Sequence, residues 1–200
     1  MKNLTLIVPA KNESESLPIV LNELEKFEYK ICIVLHGTDT KTIESIKDYD
    51  VNIIYQKNFG YGDAIIEGIN NCNTEYFCIF NADGSFNPSE IDGMFESMQT
   101  RNLDFIFASR YESNSGSEDD TILTLIGNYI FTYIGKIFFR LNVSDILYTF
   151  LIGRTNKAKK LNLSQKDFSF CVELPIKAKK NEMKLGSINA FERKRIAGKK

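Results

Sequence analysis

The sequence predicts an α/β fold built on a mostly parallel central sheet flanked by helices. Three observations carry this reading: short apolar runs rich in β-branched and aromatic residues, helical periodicity in the stretches between them, and turn residues at the joins. Strands that alternate with helices require parallel crossovers, and ligands of such a sandwich bind beyond the carboxyl ends of the strands.

The first strand is LTLIV (4–8). Leu17, Val20, Leu21, Leu24 and Phe27 then recur at helical spacing after a Ser-rich start, and Pro18 suits the first turn of a helix. YKICIVL (29–35), VNIIY (51–55), EYFCIF (75–80) and LDFIFAS (103–109) are the next strands. Ile65, Ile66 and Ile69 mark one helix among them, and Ile91, Phe95 and Met98 mark another. The polar segment YESNSGSEDDT (111–121) reads as a loop entering a helix capped near Ser117, with acidic first-turn residues.

The segment that follows is the most periodic in the chain. Ile122, Leu125, Ile126, Tyr129, Ile130, Tyr133, Ile134, Ile137, Phe138 and Leu141 trace one apolar stripe, with Thr124, Asn128, Thr132, Lys136 and Arg140 opposite. Gly127, Asn128, Gly135 and Lys136 interrupt it, so it reads as a helix lying on a surface or docked, not as a membrane span. Packing of the stripe on the sheet and contact with a membrane both remain open.

Composition fits one globular domain over 1–200, with 43% hydrophobic and 26% charged residues. Cys32, Cys72, Cys78 and Cys171 lack C-x-x-C spacing and mostly sit in apolar runs, which predicts buried thiols in a reducing compartment instead of disulfides or zinc. The opening MKNLTLIVP is too short an apolar stretch for a signal peptide, so a cytoplasmic location is expected. Net charge is −1, yet residues 1–100 carry 7 Lys/Arg against 16 Asp/Glu and residues 101–200 carry 18 against 10. Either the second half faces something anionic, such as phosphate or lipid head groups, or its lysines form a solvated surface.

Three loops at strand ends hold the chemistry-bearing residues. VPAKNESESL places Asn12 and Glu13 just after Pro9; NFGYGDAIIEGIN puts Gly60 and Gly62 ahead of a helix whose amides can face phosphate; FNADGSFNP delivers Asn81, Asp83 and Gly84. A carboxylate with an oxygen-bearing neighbour two residues earlier can hold Mg²⁺ or Mn²⁺ on a diphosphate. Each of these loops alone is also an ordinary turn.

Their order lifts the reading. LIVPAKNESESL resembles V-x-P-x-x-N-E, NFGYGDAIIEGI resembles N-x-G-x-G-x-A, and FNADGSFNP stands at D-A-D-G/L of family 2 glycosyltransferases with the GT-A fold. Downstream, residues 107–111 (FASRY) resemble G-S-R-Y, Ser144 to Phe150 resemble D-x-x-x-G-F, and ERKRIAGKK resembles R-x-x-G-x-x-K. The resemblance is strongest to enzymes like dolichyl-phosphate mannose synthase and bacterial polyprenyl-phosphate glycosyltransferases, and it covers essentially the whole chain.

The resemblance implies a nucleotide-sugar-binding half over 1–110 and an acceptor half over 111–200. Pro9, Asn12, Glu13, His36, Gly60, Gly62 and Asn81 would bind the UDP- or GDP-sugar, and Asp83 would hold the metal, Mg²⁺ or Mn²⁺. Arg110, Asp145, Arg195 and Lys199 would serve a polyprenyl phosphate acceptor, with Asp83, Arg110, Asp145 and Arg195 forming the catalytic set. A membrane surface is an expected partner, as a peripheral association, and nucleic acid is not. Three departures stand out: Leu35-His36-Gly37-Thr38 where relatives carry D-D-G-S, Asn81 at the first acid of D-x-D, and Thr149 at the glycine of D-x-x-x-G-F. The leading expectation is an inverting transferase, against two alternatives: the same fold acting on a soluble acceptor, or a degenerate nucleotide-sugar-binding domain.

Overall fold

A computed structural model describes residues 3–111, 115–119 and 122–197. Strand β1 (Leu4–Pro9) leads through helix α1 (Leu17–Leu24) and a 3-10 turn to β2 (Lys30–Leu35). Helix α2 (Thr40–Ser45), β3 (Asn52–Tyr55), α3 (Tyr61–Asn71), β4 (Tyr76–Ile79), α4 (Glu90–Thr100) and β5 (Phe105–Ser109) continue the alternation where the apolar runs place it. A short strand β6 (Gly116–Ser117) then precedes the long helix α5 (Ile122–Phe139). Strand β7 (Leu151–Arg154), helices α6 (Thr155–Lys160) and α7 (Phe170–Lys180), and strands β8 (Leu185–Asn189) and β9 (Phe191–Glu192) complete the described chain.

The main sheet runs β3-β2-β1-β4-β7-β5-β8. β1 pairs in parallel with β2 on one side and β4 on the other, so the chain leaves β1 in one direction and later returns in the opposite one. That reversal opens a crevice at the carboxyl ends of β1, β2 and β4. β7 inserts antiparallel between β4 and β5, and β8 lies parallel to β5.

Helices cover both faces, which is why the strands read as near-continuous apolar runs. Leu4, Leu6 and Val8 pack with Leu17, Val20, Leu21 and Leu24 of α1 and with Ile91, Met94 and Met98 of α4. Ile7 points to the other face, where Ala64, Ile65 and Ile69 of α3 meet Phe170 and Leu174 of α7. All four cysteines are buried, free thiols.

Two expectations for the middle of the chain are corrected. Ser117 does not cap the long helix: it pairs with Glu192 in the small β6-β9 ribbon, and the helix begins at Ile122. Tertiary strand pairing wins over the local capping pattern, and Leu141 lies beyond the end of the helix. The orientation of α5 is the larger result, because the apolar stripe does not pack on the sheet. Ile126, Tyr129, Ile130, Phe131, Tyr133, Ile134, Ile137 and Phe138 are exposed, Phe138 by 74%, whereas Asn128 and Thr132 are buried. The inner face is small and polar: Thr132 Oγ1 accepts the Ile146 amide at 3.3 Å, and Gly135 lies against Leu141 and Ile146. No helix among the described residues is long and apolar enough to cross a membrane.

Candidate active site

A cleft of about 1030 Å³ lies at the carboxyl ends of β1, β2 and β4, where the strand order reverses. Pro9, Asn12, Glu13, His36, Gly60, Asn81, Asp83, Arg110 and Arg195 all line it. The topology thus gathers residues spread over nearly the whole chain. Asp145 sits fully buried behind the wall, Gly62 packs beneath it, and Lys199 lies outside the described residues.

One end of the cleft is aromatic. The His36 ring stacks on Phe59 with centroids 4.1 Å apart, and its Nδ1 meets the Thr38 hydroxyl at 2.8 Å. The nearby carboxylate is Asp39, which caps α2 by accepting the Thr42 amide at 3.3 Å and also accepts the Asn12 amide at 2.7 Å. Asn12 reaches that bond with φ of 59°, a left-handed conformation that asparagine tolerates. Glu13 is anchored beside it, its amide donating to Thr42 Oγ1 at 3.0 Å. The V-x-P-x-x-N-E loop is therefore fastened to the start of α2.

The glycines of the second loop serve packing. Gly60 has φ of 130°, and a Cβ there would fall 2.0 Å from the Lys166 carbonyl oxygen; at Gly62 it would fall 2.2 Å from that of Gln165. The Asp63 amide donates to Lys166 O at 3.0 Å, so the loop before α7 takes up one of the amides at the start of α3. Asp63 in turn accepts both the backbone and side-chain N–H of Asn58.

At the centre, Asp83 Oδ1 accepts the Ser85 amide at 3.0 Å and the Ser85 hydroxyl at 2.6 Å. Its Oδ2 lies 3.8 Å from the Arg195 guanidinium, which Asp119 holds at 3.0 Å. Gly84, with φ of 80°, makes room for Ile196: a Cβ would fall 2.4 Å from its Cδ1. The C-terminal segment thereby seats Arg195 over Asp83. Burial, and then the Asp83 charge, raise the Glu13 pKa, against the lowering effects of the Ser16 hydrogen bond and Arg195.

The far wall is a buried ionic cluster. Arg110 bonds both Asp145 oxygens, at 2.8 and 3.2 Å, and its Nη1 reaches Glu192 at 3.0 Å. Burial pulls the Arg110 pKa down, but Asp145 and then Glu192 outweigh it and hold the pKa above the ordinary value. The guanidinium also lies 4.5 Å from the Tyr148 ring centroid and 5.2 Å from that of Tyr111. Tyr111 continues outward, accepting from Asn128 Nδ2 of α5 at 2.6 Å and packing on Tyr129 with centroids 4.9 Å apart.

Sequence reasoning missed Asp39, Tyr61, Tyr148, Phe168 and Glu192 as cleft residues. Asp39 carried a signal, since Asp-x-x-Thr42 before a helical stretch is a capping pattern. Tyr61, Tyr148 and Glu192 lie inside motif segments but at positions the motifs leave open or do not include, Phe168 lies outside any motif, and all four reach the cleft through the tertiary fold.

The family model for glycosyl transferase family 2 matches residues 5–161. A UDP-N-acetylglucosamine–dolichyl-phosphate N-acetylglucosaminyltransferase of Methanococcus voltae is 23% identical over 211 aligned positions, covering 94% of this chain and 84% of that protein. An undecaprenyl-phosphate 4-deoxy-4-formamido-L-arabinose transferase of Photorhabdus laumondii is 28% identical over 105 positions, covering 46% and 32%. Among solved structures, glucosyl-3-phosphoglycerate synthase of Mycobacterium tuberculosis, in complex with Mn²⁺, UDP and glucosyl-3-phosphoglycerate, superposes with a TM-score of 0.74 at 9% identity, covering 99% and 73%. This likeness establishes the shared fold.

Proposed function

We propose, from the premise that this chain belongs to glycosyl transferase family 2, that it moves a sugar from a UDP- or GDP-sugar to a polyprenyl phosphate at a membrane surface, with inversion at the anomeric carbon. The observation that carries the acceptor assignment is the shared wall between α5 and the cleft. The helix turns its apolar face outward, and its inner face meets Tyr111, which flanks Arg110. An interfacial helix so placed brings the head group of a lipid acceptor to the cleft mouth while its chain stays in the bilayer. Lys136 and Arg140, both exposed near the C-terminal end of α5, add attraction to an anionic leaflet.

In the reaction, an acceptor phosphate oxygen forms the new bond to the anomeric carbon as the bond to the donor diphosphate breaks, and the electron pair leaves with the nucleoside diphosphate. The acceptor is already ionised, with a phosphate second pKa of about 6, so no general base is required. Arg195, whose guanidinium lies 3.8 Å from Asp83 Oδ2, neutralises phosphate charge there. Arg110, taken up by Asp145 and Glu192, shapes the wall on the acceptor side.

The residues fit a divalent metal in a particular way. Among the described residues no group of three His, Cys, Asp or Glu could hold one, but Asp83 lines the cleft, with Oδ1 taken by Ser85 and Oδ2 3.8 Å from Arg195. One carboxylate with substrate phosphates and water is a set that Mg²⁺ accepts. When bound there, the metal neutralises the departing diphosphate.

The test presents UDP- and GDP-sugars with detergent-dispersed polyprenyl phosphate, 3-phosphoglycerate or free sugars. Transfer to the lipid is expected. Transfer only to a soluble acceptor overturns the acceptor assignment, and nucleotide binding without any transfer overturns the enzyme assignment in favour of a degenerate binding domain.

A further inference from the structure

Two of the three departures from the family pattern, Asn81 and Thr149, are joined by one side chain. Tyr61, at the start of α3, donates its hydroxyl proton to Asn81 Oδ1 at 2.9 Å, and the same hydroxyl lies 2.6 Å from Thr149 Oγ1. A phenol has a single proton, so with that proton on Asn81 the Thr149 hydroxyl is the donor to Tyr61. Phe168 lies over the Tyr61 ring with centroids 5.0 Å apart and planes 14° apart, fixing it in the cleft wall. Burial drives the phenol pKa far up, so the hydroxyl keeps its proton throughout the physiological range.

This directed chain decides which end of Asn81 is available. Its carbonyl oxygen, the atom of that side chain able to ligate a metal, is turned toward Tyr61 and gives it one of its two lone pairs, and the amide Nδ2 is left two residues from Asp83. We propose that Tyr61 and Thr149 are positioning residues that make Asn81 a hydrogen-bond donor to the diphosphate of the bound nucleotide and keep it off the metal, which meets Asp83. The proposal rests on the reading that the cleft binds a nucleotide diphosphate. It gives the two substitutions one physical cause, because a carboxylate at 81 has no N–H to offer phosphate, and a glycine at 149 has no hydroxyl to orient the phenol.

Calorimetric titration of UDP and GDP, each with and without Mn²⁺, separates the outcomes. Tyr61→Phe, nearly isosteric, releases the Asn81 oxygen, and the tightening of nucleotide binding by Mn²⁺ should grow about three- to tenfold over wild type. Asn81→Ala should weaken metal-free nucleotide binding about three- to tenfold and leave the Mn²⁺ effect unchanged. An Mn²⁺ effect in Tyr61→Phe equal to or below wild type overturns the proposal, and so does a diminished Mn²⁺ effect in Asn81→Ala. Wild type that binds neither nucleotide would instead strike the underlying reading of the cleft.

Discussion

Helices α1 and α5 are both amphipathic, and they use that property in opposite ways. α1 buries Leu17, Val20, Leu21 and Leu24 to within 1% exposure and helps to form the core of one sheet face. α5 buries Asn128 and Thr132 and turns Tyr129, Ile130, Tyr133 and Ile137 outward, each more than half exposed. Periodicity reports that a helix has two faces, and the chemistry of the neighbouring surface decides which one turns inward. For α5 the neighbours are a tyrosine hydroxyl and a backbone amide, Tyr111 and Ile146, so asparagine and threonine are the complementary side chains.

The largest expected effect should sharpen the contrast. Leu21→Ala in α1 should cost roughly 2–5 kcal/mol of stability, while Ile130→Ala in α5 should stay within about 0.5 kcal/mol, both read by urea denaturation. Equal losses would mean that the outer face of α5 is covered in the folded protein. Next, Ile130→Ser with Ile137→Ser should weaken partition to liposomes by about 2 kcal/mol, roughly thirtyfold in a flotation assay, without changing the melting temperature. Unchanged flotation would break the comparison, leaving the apolar face without a lipid partner.

Thr132→Val tests the inner face. It keeps the shape but strands the Ile146 amide, and a loss of about 1.5 kcal/mol is expected in the same denaturation experiment. The smallest effect belongs to the flanking cations: Lys136→Gln should weaken binding to anionic vesicles by about 1 kcal/mol at low salt, and raising the ionic strength should erase the difference. No difference between anionic and neutral vesicles would remove the electrostatic part of the proposal.

The parallel part of the fold was legible because buried strands such as KICIVL and YFCI are apolar on both faces and bounded by turns. β7 and β8 were not. LIGR and LGSIN are short and mixed, and each becomes a strand by pairing with β5, which tertiary assembly decides. The site divides in the same way. Pro9, Glu13, Asn81, Asp83, Arg110 and Arg195 carry motif positions and meet in the cleft. The Tyr61 link between Asn81 and Thr149 spans 88 residues of chain, and no local pattern announces it. The missing acid at His36 was visible, but the carboxylate of Asp39 close by went unread because its capping role looks like ordinary helix punctuation.

The contact of Ile196 with Gly84 imposes an order in time. Ribosomal synthesis delivers β1, β2 and β4 long before Arg195 and Ile196 emerge, and domains begin to organise from the N-terminal end. The crevice between those strands can therefore form while the segment that seats Arg195 over Asp83 is still unmade. A nascent chain ending near residue 190 would carry the strands of the main sheet and lack the cation that faces Asp83, so the cleft would gain that cation only after the strands that frame it have been made.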